Sequence, residues 1–172
     1  MFTHTHASAT VRLTAQTPES TNALLISRRG GAPSSALDLQ LLDRAGVPPE
    51  RLAGVPAFAP LADVAVPTVV ADVPAYADGM GGEYVKLERA IALGLEALTS
   101  AGGRTVDMGP MVLPETSGWP SDRAAYVVFN TLFRFASENP GRLEQATVHV
   151  AAAELETWRV AMDRVTRTML GT

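Results

Sequence analysis

Between residues 68 and 170, short apolar runs alternate with long amphipathic stretches, and this limits the chain to few folds. Thr68–Val73 (TVVADV) reads as a strand. Glu83–Ala101 follows as a helix, because Tyr84, Leu87, Ile91, Leu95 and Leu98 recur three or four residues apart before Gly102 and Gly103 stop it. Thr105–Met108 is the next strand. Ser121 is the predicted N-cap of a second helix with Asp122 in its first turn; Ala125, Val128, Phe129, Leu132, Phe133 and Ala136 form its apolar stripe. Asn139, Pro140 and Gly141 end it. Ala146–Ala151 is a strand, and Glu154–Leu170 a last helix with Leu155, Trp158, Met162, Val165 and Met169 on one face. Strands separated by helices of this length imply right-handed crossovers, hence parallel pairing with helices over the sheet. The predicted class is α/β, a three-layer α/β/α sandwich on a mixed, mostly parallel sheet.

The first half fits the same plan. Ala9–Leu13 (ATVRL) and Asn22–Ser27 (NALLIS) read as strands, the second as a buried one. "RRGGAPSS" breaks the chain before a helix over Ala36–Ala45, with Ser34 or Ser35 as N-cap and Gly46 as stop. Residues 47–67 hold Pro48, Pro49, Pro56, Pro60 and Pro67, five of the chain's twelve prolines, and are predicted to be irregular. Leu52, Val55, Phe58, Leu61 and Val64 are apolar enough to pack this segment down, so it is no domain linker. The expectation is a single domain over residues 1–172, with residues 1–8 as a flexible tail.

Composition removes several functions. A net charge of −4 disfavours nucleic acid or an acidic membrane surface as partner. No cysteine excludes disulfides, thiolate metal sites and a cysteine nucleophile. The N-terminal stretch has no basic and apolar leader, and no apolar run approaches the ~20 residues of a membrane span, so a cytoplasmic location is expected. No Ser-His-acid arrangement or Gly-x-Ser-x-Gly elbow appears, and no catalytic residue, metal or cofactor is nominated. His4 and His6 have i, i+2 spacing without further metal ligands, and His149 reads as a hydrogen-bonded sheet residue.

The order of pieces over residues 68–169 resembles the macro domain, a family of ADP-ribose-binding modules. Pro110 matches a proline at the end of an apolar strand, Gly118-Trp119-Pro120 a glycine-aromatic-proline turn, and Ala124-Ala125 an alanine pair opening the next helix. The closing "ATVHVAAAELETWRVAMDRV" matches the family's final strand and helix. The resemblance implies a cleft at the strand ends built from loops near Arg28, Arg29, Gly30 and Gly31, near Asp78 and Gly79, and over Leu113, Pro114, Glu115, Thr116, Ser117 and Gly118.

The loops depart from the family's ligand motifs. Leu113, Pro114 and Glu115 stand where Ser-Thr-Gly would wrap a pyrophosphate with backbone N–H groups. Proline has no N–H, and a carboxylate repels a diphosphate. Ile26 and Arg29 fall about where an Asn-Ala-Ala-Asn motif has its asparagines, and Thr14–Pro18 replaces a Gly-Asp-Ile-Thr motif. The leading expectation is a non-catalytic module whose cleft takes a nucleotide-derived or other small anionic ligand. The alternatives are a vestigial cleft on a protein-interaction or assembly domain, and an ADP-ribose hydrolase. Arg28 and Arg29 suit an anion. The competing reading is a solvated turn, or a pairing with Glu115 that plugs the cleft.

Overall fold

The computed structural model describes residues 1–16, 22–77 and 80–171, and it forms one seven-stranded mixed sheet with helices on both faces. The strands are β1 (Phe2–His6), β2 (Ala9–Thr14), β3 (Ala23–Arg29), β4 (Ala32–Pro33), β5 (Thr68–Asp72), β6 (Thr105–Met108) and β7 (Gln145–His149). Their order is β1-β2-β7-β6-β3, with β5 and the short β4 both paired to β3. Every pair from β2 to β5 along this path is parallel; β1 with β2 and β3 with β4 are antiparallel.

The longer helices are α1 (Ala36–Arg44), α2 (Glu83–Ser100), α4 (Ser121–Glu138) and α5 (Leu155–Leu170), with a single helical turn, α3 (Pro114–Ser117), between β6 and α4. Period-two alternation places Val11, Leu13, Leu25, Val106, Met108, Ala146 and Val148 on the face under α2, α4 and α5, in one core with Leu87, Ile91, Phe129, Phe133 and Trp158. The opposite residues Leu24, Ile26 and Val70 pack on Leu41 and Leu42 of α1 and on Val47, Leu52 and Leu61. The proline-rich segment is thus a layer of the fold. It also covers the outer edge of β5, where Phe58 and Leu61 donate their N–H groups to Val70 and Thr68 carbonyls at 2.8 Å. No helix among the described residues is long and apolar enough to cross a membrane.

Close approach of α2 to the sheet depends on Gly94. A Cβ there would lie 2.4 Å from Leu25 Cδ1, inside any real contact.

Three expectations need correction. Residues 1–8 contain β1, whose Phe2–His6 pairs with Leu13–Ala9, where a flexible tail was expected. The connecting turn is Ala7 and Ser8, both at positive φ (48° and 70°), so the usual glycine or asparagine signal of a two-residue hairpin is missing. "RRGG" does not merely break the chain: Gly30 and Gly31, at φ 60° and 86°, turn β3 back into β4. Helix α4 begins at Ser121 itself after Pro120, so Ser121 is not its cap.

Candidate functional site

The β3–β4 hairpin holds one wall of the candidate site. A cavity of about 540 Å3 is bounded by Arg28–Gly31, Gly54–Pro56 and Asp72–Val73. Gly54, Val55 and Pro56, from a segment read only as packing, were not anticipated as site residues.

Arg28 and Arg29 do different work. The Arg28 side chain is 9% exposed and grips Asp72 with both ends of its fork, Nε to Oδ1 at 2.7 Å and Nη2 to Oδ2 at 3.0 Å. Its Nη1 donates to the carbonyls of Leu52 and Val55 at 2.6 and 2.9 Å. Donating to the Asp72 carboxylate raises the guanidinium above its ordinary pKa against the opposing effect of burial. These bonds tie β3, β5 and the proline-rich layer together, so Arg28 lines the cavity with most of its donors already committed. Arg29 is exposed, and its Nη1 donates to the backbone carbonyl of Thr116. The alternative pairing of these arginines with Glu115 is therefore not formed. Arg28 takes Asp72, while the Arg29 side chain reaches the Thr116 carbonyl of the opposite loop and Glu115 stays exposed.

The loop that Arg29 reaches is the second predicted wall; among the described residues, none of Leu113–Gly118 lines the cavity of about 540 Å3. After β6, Val112 N–H closes back on Pro110 O at 2.8 Å with Met111 between them at φ 66°, a tight γ-turn that strains a non-glycine residue. Leu113–Gly118 then coil into α3 rather than lying open. Ser117 Oγ accepts the Leu113 N–H at 3.0 Å and donates to Leu113 O at 2.7 Å. Ser117 and Gly118 give their own N–H groups to Leu113 and Pro114 carbonyls at 3.0 Å each. With proline at 114, the amides of Glu115 and Thr116 are left as the loop's uncommitted donors. The turn is seated from below: Tyr76 N–H donates to Ser117 O at 2.8 Å, and buried Trp119 donates Nε1–H to Pro74 O at 3.0 Å.

The third predicted wall, Asp78 and Gly79, lies outside the described residues. At its flanks the buried carboxylate of Glu83 accepts the N–H groups of Ala77 and Gly81 at 3.2 and 3.0 Å. The chain's own anion thus occupies these backbone donors at the start of α2. The signal for it was present in "GGE" at a helix start, where an acidic residue complements the helix dipole.

Two buried polar clusters stand beside these walls. Asp38 in α1 accepts Ser27 Oγ–H at 2.7 Å and Ser35 Oγ–H at 2.6 Å. Ser35 in turn caps α1 by accepting the Asp38 N–H at 3.0 Å. Full burial without a cation pushes the Asp38 carboxyl up to about 6, more than its hydrogen bonds pull it down. His149, expected as a hydrogen-bonded sheet residue, sets Nε2 3.0 Å from Asp107 Oδ1 and Nδ1 3.0 Å from Gln16 O. Asn22 donates to the second Asp107 oxygen at 2.8 Å. Both ring nitrogens thus face oxygens.

No protein-family model matches the chain, and no curated protein matches it in sequence. Solved structures do. The Oceanobacillus iheyensis macrodomain with ADP superposes over 97% of this chain and 97% of its own with a TM-score of 0.71 at 13% identity. A mutant of that macrodomain with ADPR gives 0.68 at 14% identity over 96% of this chain and 98% of its own. The Trypanosoma brucei macrodomain in complex with ADP gives 0.60 at 12% identity, over 90% of this chain and 69% of its own. The chain has the macrodomain fold. The likeness runs through the first half, where the sequence carries none of the motifs that point to it.

Proposed function

We propose that this chain is a ligand-binding module on the macrodomain scaffold, whose cleft takes a small anionic, nucleotide-like ligand in a manner altered from ADP-ribose binding. The observation that carries this is the meeting of the β3–β4 hairpin and the α3 loop at the Arg29–Thr116 contact, beside a cavity of about 540 Å3. That volume suits a small molecule. Arg29 supplies the adaptable cation and Gly30–Gly31 bring the backbone close, while Arg28 is the positioning residue that fixes the wall. ADP and ADPR in the similar macrodomains support a nucleotide-like ligand. Against the usual mode, α3 spends the Ser117 and Gly118 amides on its own carbonyls and Glu83 fills the donors of Ala77 and Gly81. No side chain in these walls is assigned a catalytic role.

A thermal-shift panel with ADP, ADP-ribose, pyrophosphate and inorganic phosphate tests the proposal, because a ligand that binds only the folded state raises its melting temperature. At least one phosphate-bearing compound is expected to stabilise the protein, and Arg29→Gln to remove most of that response. Stabilisation by none of them refutes the reading and leaves the vestigial cleft, which Pro114 and the closing of the Ser117 and Gly118 amides within α3 favour.

A further inference from the structure

A second site lies on the helical layer, away from the β3–β4 hairpin. Two adjoining hollows of about 340 and 370 Å3 share Asp122, Tyr126 and Arg164. The first continues to Tyr84 and Arg123 at the starts of α2 and α4; the second opens along α5 over Val160 and Ala161. The two arginines here differ from several others in the chain. Arg28, Arg104, Arg134 and Arg159 each meet a carboxylate within ion-pair distance. Arg123 instead donates Nη1–H to the Tyr84 hydroxyl at 2.7 Å, and Arg164 lies over the Tyr126 ring at 5.6 Å from its centroid. Tyrosines therefore hold both guanidiniums in position without neutralising them. Glu156, which also lines the second hollow, is spent on Arg159 through two bonds of 2.6 and 2.9 Å. Asp122 shares the groove; it touches neither arginine within ion-pair distance, but its charge acts on Arg123 through space.

We infer that this groove binds a phosphate monoester carrying an aromatic or apolar body. Two guanidiniums with no carboxylate in direct contact, Arg123 offset only through space by Asp122, match a dianion better than a carboxylate, and the planar fork suits phosphate oxygens. Val160, 50% exposed, with Ala161 and the Tyr126 ring, gives the body an apolar seat next to the cations. The site stands on different residues from the cleft proposed above and does not depend on it. Arg123 also joins it to the cleft floor, since Tyr84 Oη lies 3.4 Å from the hydroxyl of Tyr76, whose N–H holds Ser117.

Phenyl phosphate is the probe, titrated at low salt and followed by backbone amide shifts. Saturable shifts are expected at Arg123, Tyr126, Val160 and Arg164. Arg123→Gln and Arg164→Gln, each checked to melt as the parent does, should weaken binding about five-fold or more, while exposed Arg44→Gln leaves it unchanged. Asp122→Asn should tighten it about three-fold by removing a like charge, a gain that general loss of structure cannot produce. Inorganic phosphate binding as tightly as phenyl phosphate would overturn the apolar seat, and phenol binding as tightly would overturn the anion site. Shifts confined to residues around Arg29, or none at all, would overturn the proposal.

Discussion

Asp38 offers a prediction whose sign and size both follow from its surroundings. Its carboxyl is fully buried against Ser27 and Ser35, and in the fold it titrates at about 6 against an ordinary 3.8. Between those values the folded chain keeps a proton that the unfolded chain has released. Protonation therefore favours folding at low pH, and the contribution is lost as pH rises through about 6. Integrated from about pH 7.5 down to about pH 5, this one group stabilises the fold by about 1 kcal/mol. In a chain of this length that is a rise of about 2–4 °C in melting temperature. Other groups titrate over the same range, so the comparison is with Asp38→Asn. The amide keeps the acceptor for Ser27 N–H, and the serine hydroxyls can rotate to accept its N–H donors. Melting both proteins from about pH 5 to about pH 8 should show the parent gaining on the variant as pH falls. Parallel curves across that range would refute the reasoning, because they would mean that Asp38 takes up no proton on folding.

Two further perturbations test the packing and the missed hairpin. Gly94→Ala puts a methyl 2.4 Å from Leu25 Cδ1, and chemical denaturation should show a loss of about 1–3 kcal/mol unless α2 moves off the sheet. Ala7→Asn with Ser8→Gly installs residues that accept the positive φ of the β1–β2 turn; a gain of about 1 kcal/mol is expected, and a loss would show that this turn is not left-handed in solution.

The second half was legible because its strands and long helices each satisfy their own period and most are bounded by glycine or proline, whereas the single turn α3 was read as loop. Tyr84, Leu87, Ile91, Leu95 and Leu98 mark the buried face of α2, and Leu87, Ile91, Leu95 and Leu98 are fully buried. The first half was less so for local reasons. β1 is "FTHTH", a polar edge strand joined by an alanine–serine turn, and nothing in it advertises pairing. The site was half legible. The Arg28–Gly31 turn and the 113–118 loop do approach one another, and Pro114 does remove a donor. That Arg28 would turn to Asp72 depends on strand register, Arg28 opposite Asp72 in β3 and β5, which no local pattern reveals. The Ser35-x-x-Asp38 capping pattern was readable, but its burial follows from Ser27 packing over it.

The central claim, a macrodomain cleft that no longer holds ADP-ribose in the usual way, is tested most directly by calorimetric titration of ADP-ribose. It is run on the parent and on the Pro114→Thr, Glu115→Gly double variant. The parent should give no saturable heat in the low-micromolar range, and the variant should gain affinity as a backbone donor returns and a like charge leaves. A low-micromolar dissociation constant for the parent would contradict the account, since the loop would then hold the diphosphate without an N–H at Pro114 and against the Glu115 carboxylate.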